Sequence, residues 1–183
     1  MTDDHAQIEY AALRATVRER GTWRVVLTWL TFAVWAVLVI PGVVRGTPFV
    51  LLASLVALAA GFESVYALHV GVERIGRYLQ VFYETSVRLP AWERTAMAYG
   101  REPPGDGLDP IFSKLFATAA LLNLVPILLS RQLGLVLVGL VAHVVFAARI
   151  LQARRYAEKQ RSLDLEKFRR LKEGQESGTP CDS

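Results

Sequence analysis

Four apolar runs, separated by polar segments, organise this 183-residue chain. The runs cover residues 23–44, 48–70, 111–130 and 133–148. A helix needs roughly 20 apolar residues to cross about 30 Å of hydrocarbon, and the first two runs reach that length without interruption. Asn123 and Pro126 interrupt the third run, and the fourth run is short. The pattern predicts an all-α integral membrane protein with four transmembrane helices.

Short connections between these runs predict two helical hairpins in one four-helix bundle. Pro41, Gly42 and Pro48 favour a tight turn after the first run, and residues 130–132 join the last two runs. Polar sequence beyond the runs predicts cytoplasmic helical extensions. The predicted parts are an N-terminal arm (1–21), the bundle with its extensions (22–173, of which 71–110 and 149–173 are cytoplasmic) and a disordered tail (174–183).

The distribution of basic residues predicts the orientation of the bundle. The formal net charge is +4 at pH 7, but Arg45 and Arg131 are the only basic residues in the two short connections. Most of the others lie in the N-terminal arm, the central loop and the C-terminal extension, and cytoplasmic segments carry such an excess. We therefore expect a multi-pass inner-membrane protein with both termini in the cytoplasm. The basic excess then needs no nucleic-acid partner.

The N-terminal arm is predicted to be a separate helix that Gly21 ends after Arg20. This helix could lie among the lipid headgroups or remain solvated. Residues 1–10 are acidic and polar, which does not fit a cleavable signal peptide. The first apolar run is therefore expected to act as an uncleaved anchor.

The second helix is predicted to continue from the membrane into the cytoplasm with two different faces. No proline or turn cluster interrupts residues 53–88. Small residues on one face predict close helix packing within the membrane; they are Ala53, Ala57, Gly61 and Ser64. Beyond the membrane the same face is apolar from Leu68 to Phe82, and we expect the C-terminal extension to cover it.

The opposite face of this helix is polar and is predicted to contact a partner in the cytoplasm. Its residues there are Glu73, Arg77, Gln80, Glu84 and Arg88. Two acid-before-base pairs spaced four residues apart within this set favour an exposed helix. The C-terminal extension is strongly basic over residues 149–172. It could pack on the second helix or bind anionic lipid headgroups, where each basic residue near the surface contributes about 1 kcal/mol.

Ionisable residues inside the predicted membrane segments are the candidate functional groups. Glu63 lies about 9 Å inside the expected cytoplasmic boundary, where such a group normally has a partner or faces water. His143 is expected at a similar depth in the parallel fourth helix. A pair between them could be a hydrogen-bonded clamp, or it could carry a proton or a cation. Tyr66 and His69 lie on the same broad face as Glu63.

The sequence predicts no catalytic residues, no cofactor and no metal site. His69 and Glu73 are one helical turn apart, and such a pair can begin a zinc, iron or manganese site. However, the chain has three histidines and lacks both HExxH and the paired ExxH motifs of di-iron bundles. Cys181 is the only cysteine, so an intrachain disulfide and a cysteine-based metal site are excluded.

The function that the sequence favours is a non-enzymatic one. In general appearance the chain is similar to small bacterial inner-membrane proteins. We expect an interaction or assembly module that acts through its long cytoplasmic helix, with the bilayer, a second copy or another membrane protein as partner. The alternative is a small oligomeric ion or proton channel or transporter that uses Glu63, His69 and His143. A metal-dependent membrane enzyme is the third hypothesis.

Overall fold

A computed structural model describes residues 3–83, 110–130 and 132–177 of the chain. Helices account for 95% of these residues, and no strand occurs among them. The helices are α1 (Asp3–Val44), α2 (Pro48–Phe82), α3 (Pro110–Leu129) and α4 (Leu133–Glu176). Each is long and apolar enough to cross a membrane. The predicted all-α class and the four candidate membrane-spanning helices are thus confirmed. Glu84 and Arg88 of the predicted interaction face lie outside the described residues.

The first helix differs from the prediction, because α1 continues through Gly21 as a single helix of 42 residues. The expected helix end at Gly21 is therefore wrong. A glycine inside a helix costs roughly 1 kcal/mol relative to alanine, which packing elsewhere along a helix can offset. Here the N-terminal half of α1 contacts α2, since Glu9 accepts a hydrogen bond from Tyr78 at 2.9 Å.

The α1–α2 connection is a three-residue turn. Pro41 lies inside the last part of α1, and the helix ends at Val44. The backbone of Thr47 donates to the carbonyl of Gly42 at 2.9 Å. Gly46 adopts φ = 62°, a left-handed conformation that a side chain would disfavour. α2 then begins at Pro48, where proline suits the first helical position because its missing N–H would have no helical partner.

α2 is the central helix, because it contacts each of the other three. It runs antiparallel to α1: Gly61 adjoins Thr31, whereas Tyr78 bonds Glu9. It runs parallel to α4, since successive ion pairs join the two helices in the same order. We call the end that holds residues 45–47, 130 and 132 the turn end. The polar end holds residues 3–22, 71–83 and 152–177.

Packing is closest where α1 crosses α2. A Cβ on Gly61 would lie 2.2 Å from the side chain of Thr31, so only glycine fits without a shift at that point. Among the other small residues predicted to pack, Ala57 is half-buried, whereas Ala53 and Ser64 are exposed. Helix α1 therefore covers one edge of this stripe of small residues and leaves the other edge exposed.

The apolar core lies between α2, α3 and α4. Phe62, Phe116 and Phe146 form its centre, with ring centroids 5.5 Å and 5.9 Å apart for the two pairs that include Phe62. Both contacts are edge-to-face, an arrangement that aromatic rings prefer. Leu58 and Phe116 have no exposed surface. The core is therefore a packed cluster of side chains.

Candidate functional site

Four polar side chains, Trp35, Ser54, Asn123 and His143, meet between the helices in what we call the amide cluster. Each of the four helices contributes one residue to it. Asn123 and Ser54 have no exposed surface, and His143 is 7% exposed. The cluster lies where the helices are apolar, so its hydrogen bonds face little competition from water.

The side-chain amide of Asn123 has a partner for each of its polar atoms. Its Oδ1 accepts from the hydroxyl of Ser54 at 2.5 Å and from the indole N–H of Trp35 at 3.3 Å. Its Nδ2 donates to the carbonyl of Leu51 at 3.0 Å and lies 3.5 Å from Nε2 of His143. A buried amide that is satisfied in this way is a stable contact in lipid, because an unpaired amide there would cost several kcal/mol.

Both ring nitrogens of His143 have contacts in this arrangement. Its Nδ1 lies 2.7 Å from the carbonyl of Gly139, which can only accept, so Nδ1 carries the proton. Nε2 then offers its lone pair to the N–H of Asn123. The imidazole is therefore used for contacts within the cluster and with its own helix.

The predicted pair between Glu63 and His143 does not form. Glu63 accepts a hydrogen bond at 2.7 Å from Arg149 of α4, and the guanidinium of Arg149 lies over the ring of Tyr66 at 5.1 Å. The predicted depth of His143 is wrong, because Arg149, which lies level with Glu63, is six residues or about 9 Å further along α4. The rotation of α2 about its axis also separates the two groups. At about 100° per residue, the nine residues from Ser54 to Glu63 place their side chains about 180° apart. Glu63 thus lies on the side of α2 away from the amide cluster.

His69 belongs to a third, separate contact. Its Nδ1 lies 3.0 Å from Nη1 of Arg24, and Arg24 also stacks on Phe112 at 4.8 Å. Arg24, Tyr66 and His69 line a cavity of about 10 Å³ together with apolar side chains, which is room for about one water molecule. The three candidates for ion handling, Glu63, His69 and His143, are therefore not brought together. Within the described ranges no group of three His, Cys, Asp or Glu side chains is arranged to hold a metal.

At the polar end, charged residues join α2 to α4 in what we call the Arg77 network. Arg77 is 2% exposed and donates to Asp164 at 2.8 Å and to Glu73 at 2.6 Å. Arg161 approaches Glu73 at 3.5 Å, and Arg74 approaches Asp164 at 3.6 Å. Two carboxylates therefore lie among three guanidinium groups.

The Arg77 network changes the interpretation of the predicted interaction face. Glu73 and Arg77, which are four residues apart, do form an ion pair, but α4 covers this pair. Gln80 is half-buried. The predicted exposure of Arg77 is wrong, because α4 buries it and supplies Asp164 as a second partner. Asp164 lies 87 residues away in the sequence, so no local pattern indicates this contact. The C-terminal extension thus packs on polar residues of α2. From the apolar face, Phe82 reaches α4, where its ring centroid lies 6.4 Å from that of Phe168.

An aromatic group closes the polar end between α1, α2 and α4. Tyr10 and Tyr83 lie 5.6 Å apart between ring centroids, and Tyr78 contacts Phe168 at 5.7 Å. Burial, followed by the neighbouring carboxylate of Glu9, raises the pKa of Tyr83 well above its ordinary value. The neutral phenol is therefore the form that suits this site.

Sequence reasoning missed the role of Asn123, which it noted as an interruption of an apolar run. A lone amide in such a run does signal a buried contact between helices, but its partners are 20 to 88 residues away along the chain. Comparisons with known proteins supply no further guide. The chain matches no protein-family model, no curated protein and no solved structure.

Proposed function

We propose that this protein is a non-enzymatic assembly module of a bacterial inner membrane, with its polar end in the cytoplasm. The observation that carries the proposal is the closed amide cluster. In this cluster the intramembrane amide and imidazole groups form hydrogen bonds between helices, so that each polar group has a partner within the bundle. A bundle held in this way is suited to present its surfaces to a partner.

The separation of the ionisable groups supports this proposal over a channel or transporter. A conduction path needs polar groups that follow one another along a wet cavity. Glu63 instead bonds Arg149, His69 adjoins Arg24 and His143 bonds within the amide cluster. The cavity beside Arg24 and His69 has room for about one water molecule. Among the described residues, the three candidate groups thus have separate partners.

A surface for contact in the cytoplasm is available on α4. The side of α4 that faces away from α2 carries exposed basic residues at Arg155, Lys159, Arg169 and Arg170. Such a surface attracts anionic lipid headgroups, and its attraction weakens as salt increases. In the proposed orientation it lies beside the anionic cytoplasmic leaflet, where it would orient the polar end relative to the membrane.

A flux assay tests the assembly hypothesis against the channel hypothesis. The full-length protein is reconstituted into liposomes, and proton and K⁺ fluxes are measured under an imposed gradient, with protein-free liposomes as the baseline. We expect baseline flux for the wild type and for Glu63→Gln. A flux above baseline that Glu63→Gln abolishes, while helicity by circular dichroism is unchanged, would overturn the proposal.

The orientation has a separate test. Cys181 is the only cysteine, so a membrane-impermeant thiol reagent can report which side of the membrane it occupies. We expect labelling in inverted inner-membrane vesicles and not in intact spheroplasts. Labelling in the intact spheroplasts would reverse the orientation without affecting the flux result.

A further inference from the structure

One side of α2 within its apolar stretch is left uncovered by the other three helices. The exposed positions recur every three or four residues, as expected for one side of a helix. Six of them are Phe49, Ala53, Val56, Ala60, Glu63 and Ala67. Three of the six are alanine, and these three are spaced seven residues apart. We call this the open side of α2.

An ion pair lies on the open side. The side chains of Glu63 and Arg149 are 46% and 34% exposed, and their charged atoms are 2.7 Å apart. An ion pair with this much exposure is ordinary in water. In hydrocarbon, charged side chains almost always face protein or a water-filled cavity, because exposing them to lipid is costly.

The depth of this pair can be read from α1. Arg24 is the last charged residue on α1 before its apolar stretch, and it contacts His69 on α2. Glu63 lies six residues closer to the turn end than His69, which is about 9 Å further into the apolar layer at 1.5 Å per residue. The pair is therefore well inside the boundary that Arg24 and His69 mark.

A second copy of this chain is the partner that the charges fit. Two copies with the same orientation in a membrane are related by an axis along the membrane normal, so residues at equal depth meet. Glu63 and Arg149 bond one another and are at equal depth, so each charge of one copy can face the opposite charge of the other. Exposed Ala53, Ala60 and Ala67 allow the helix backbones to approach closely.

We propose that the open side of α2 is the interface between two copies of this protein, with Glu63 of each copy paired to Arg149 of the other. This inference rests on the proposed assembly function and names its partner. In the dimer the four charges alternate around the axis, and the second copy replaces lipid against them. Dimerisation and ion flux are measured separately, so either proposal can fail while the other stands.

Disulfide cross-linking in lipid vesicles tests the interface. Cys181→Ser provides a cysteine-free background, and Ala60→Cys places one thiol on the open side. Leu122→Cys is the matched control, because Leu122 is exposed on α3. At low protein-to-lipid ratio we expect oxidised dimers from Ala60→Cys and not from Leu122→Cys. Equal dimer yields from the two variants would overturn the proposal. So would an Ala60→Cys variant that stays monomeric, which is the result expected if lipid or another protein covers the open side.

Mixing two charge variants tests the pairing between copies. Each variant carries Ala60→Cys on the cysteine-free background, with Glu63→Gln in one and Arg149→Gln in the other. Each alone lacks every acid–base pair at the interface, and we expect its dimer to weaken on the order of tenfold. A mixed dimer keeps one pair, between Arg149 of the first variant and Glu63 of the second.

The mixture should therefore form more dimer than the average of the two variants measured alone. Tagging each variant differently identifies the mixed species, and circular dichroism shows that both remain helical. A mixture that gives only the average would overturn the exchange of charges between copies. A loss of stability in either variant would not affect this test, because the dimer yield of the mixture is compared with the yields of the same two variants measured alone.

Discussion

Asn123 and Arg77 are both buried polar residues that tie helices together, but they do so in opposite ways. Asn123 is neutral, and its amide is matched to groups from the three other helices. Arg77 is charged and is matched by two carboxylates, Glu73 and Asp164. A neutral amide is the less costly group to bury among apolar helices. A buried guanidinium requires compensating charge, and the polar end supplies it.

This difference predicts where the bundle is most sensitive to substitution. Removing one partner from a buried ion pair leaves an uncompensated charge, which costs more than the loss of a few neutral hydrogen bonds. The Arg77 network should therefore respond more strongly to a single change than the amide cluster does.

Asp164→Ala should have the largest effect. It leaves Arg77 buried with only Glu73, and we expect a loss of about 3 kcal/mol in the free energy of unfolding. The measurement is denaturation in mixed micelles followed by circular dichroism. Glu166→Ala is the matched control, because Glu166 pairs with Arg170 on the exposed side of the same helix. It should cost no more than about 0.5 kcal/mol.

The double variant Arg77→Met with Asp164→Leu shows whether the charge itself causes this loss. Replacing both partners with apolar residues of similar size is often neutral, so the double variant should be more stable than Asp164→Ala alone. If it is instead less stable, the network contributes more than charge compensation and the comparison with Asn123 fails.

Asn123→Leu should cost about 2 kcal/mol, less than Asp164→Ala. Hydrogen bonds between membrane helices average about 0.6 kcal/mol each, and the substitution removes several at once. Thr118→Ala is the control, because Thr118 is an exposed polar residue on the same helix. A larger loss for Asn123→Leu than for Asp164→Ala would reverse the ranking of the two regions.

Gly61→Ala should cost up to about 2 kcal/mol. The added methyl group would lie 2.2 Å from Thr31, and such overpacking typically costs about 1–3 kcal/mol. The preference of helices for alanine over glycine offsets roughly 1 kcal/mol of this cost. Gly134→Ala is the control, since no atom lies within 4 Å of its added methyl group. The same denaturation experiment applies, and equal effects at the two positions would show that α1 and α2 are not in close contact.

Alkaline solution should weaken the polar end selectively, with a smaller effect. The folded state raises the pKa of Tyr83, so it favours the neutral phenol. This contribution is fully present below the unfolded pKa of about 10 and is lost as the pH rises above that value. Wild-type stability should therefore decline above about pH 10, and Tyr83→Phe should reduce the decline. An unchanged decline in Tyr83→Phe would assign it to other groups.

Local features of the sequence predicted the helices well, and their partners poorly. The starts of α2 at Pro48 and α4 at Leu133 coincide with the predicted starts, because apolar runs and prolines act within a few residues. The partner of Glu63 was wrong because the register between α2 and α4, and the rotation of each helix about its axis, decide which neighbour a side chain meets. Asp164 became the partner of Arg77 through a fold-level contact that no local pattern contains.

Gly21→Ala gives the smallest expected effect and tests whether α1 continues through Gly21, where the sequence predicts a helix end. In a continuous α1, residue 21 is an ordinary helical site with open space around it, so alanine should stabilise the protein by about 0.5 to 1 kcal/mol. If Gly21 instead ended a separate helix in a left-handed conformation, alanine would be destabilising. The sign of the change in unfolding free energy therefore separates the two structures. A gain would also show that the polar end of α1 belongs to the same cooperative unit as α2, because a frayed arm would not contribute to global unfolding.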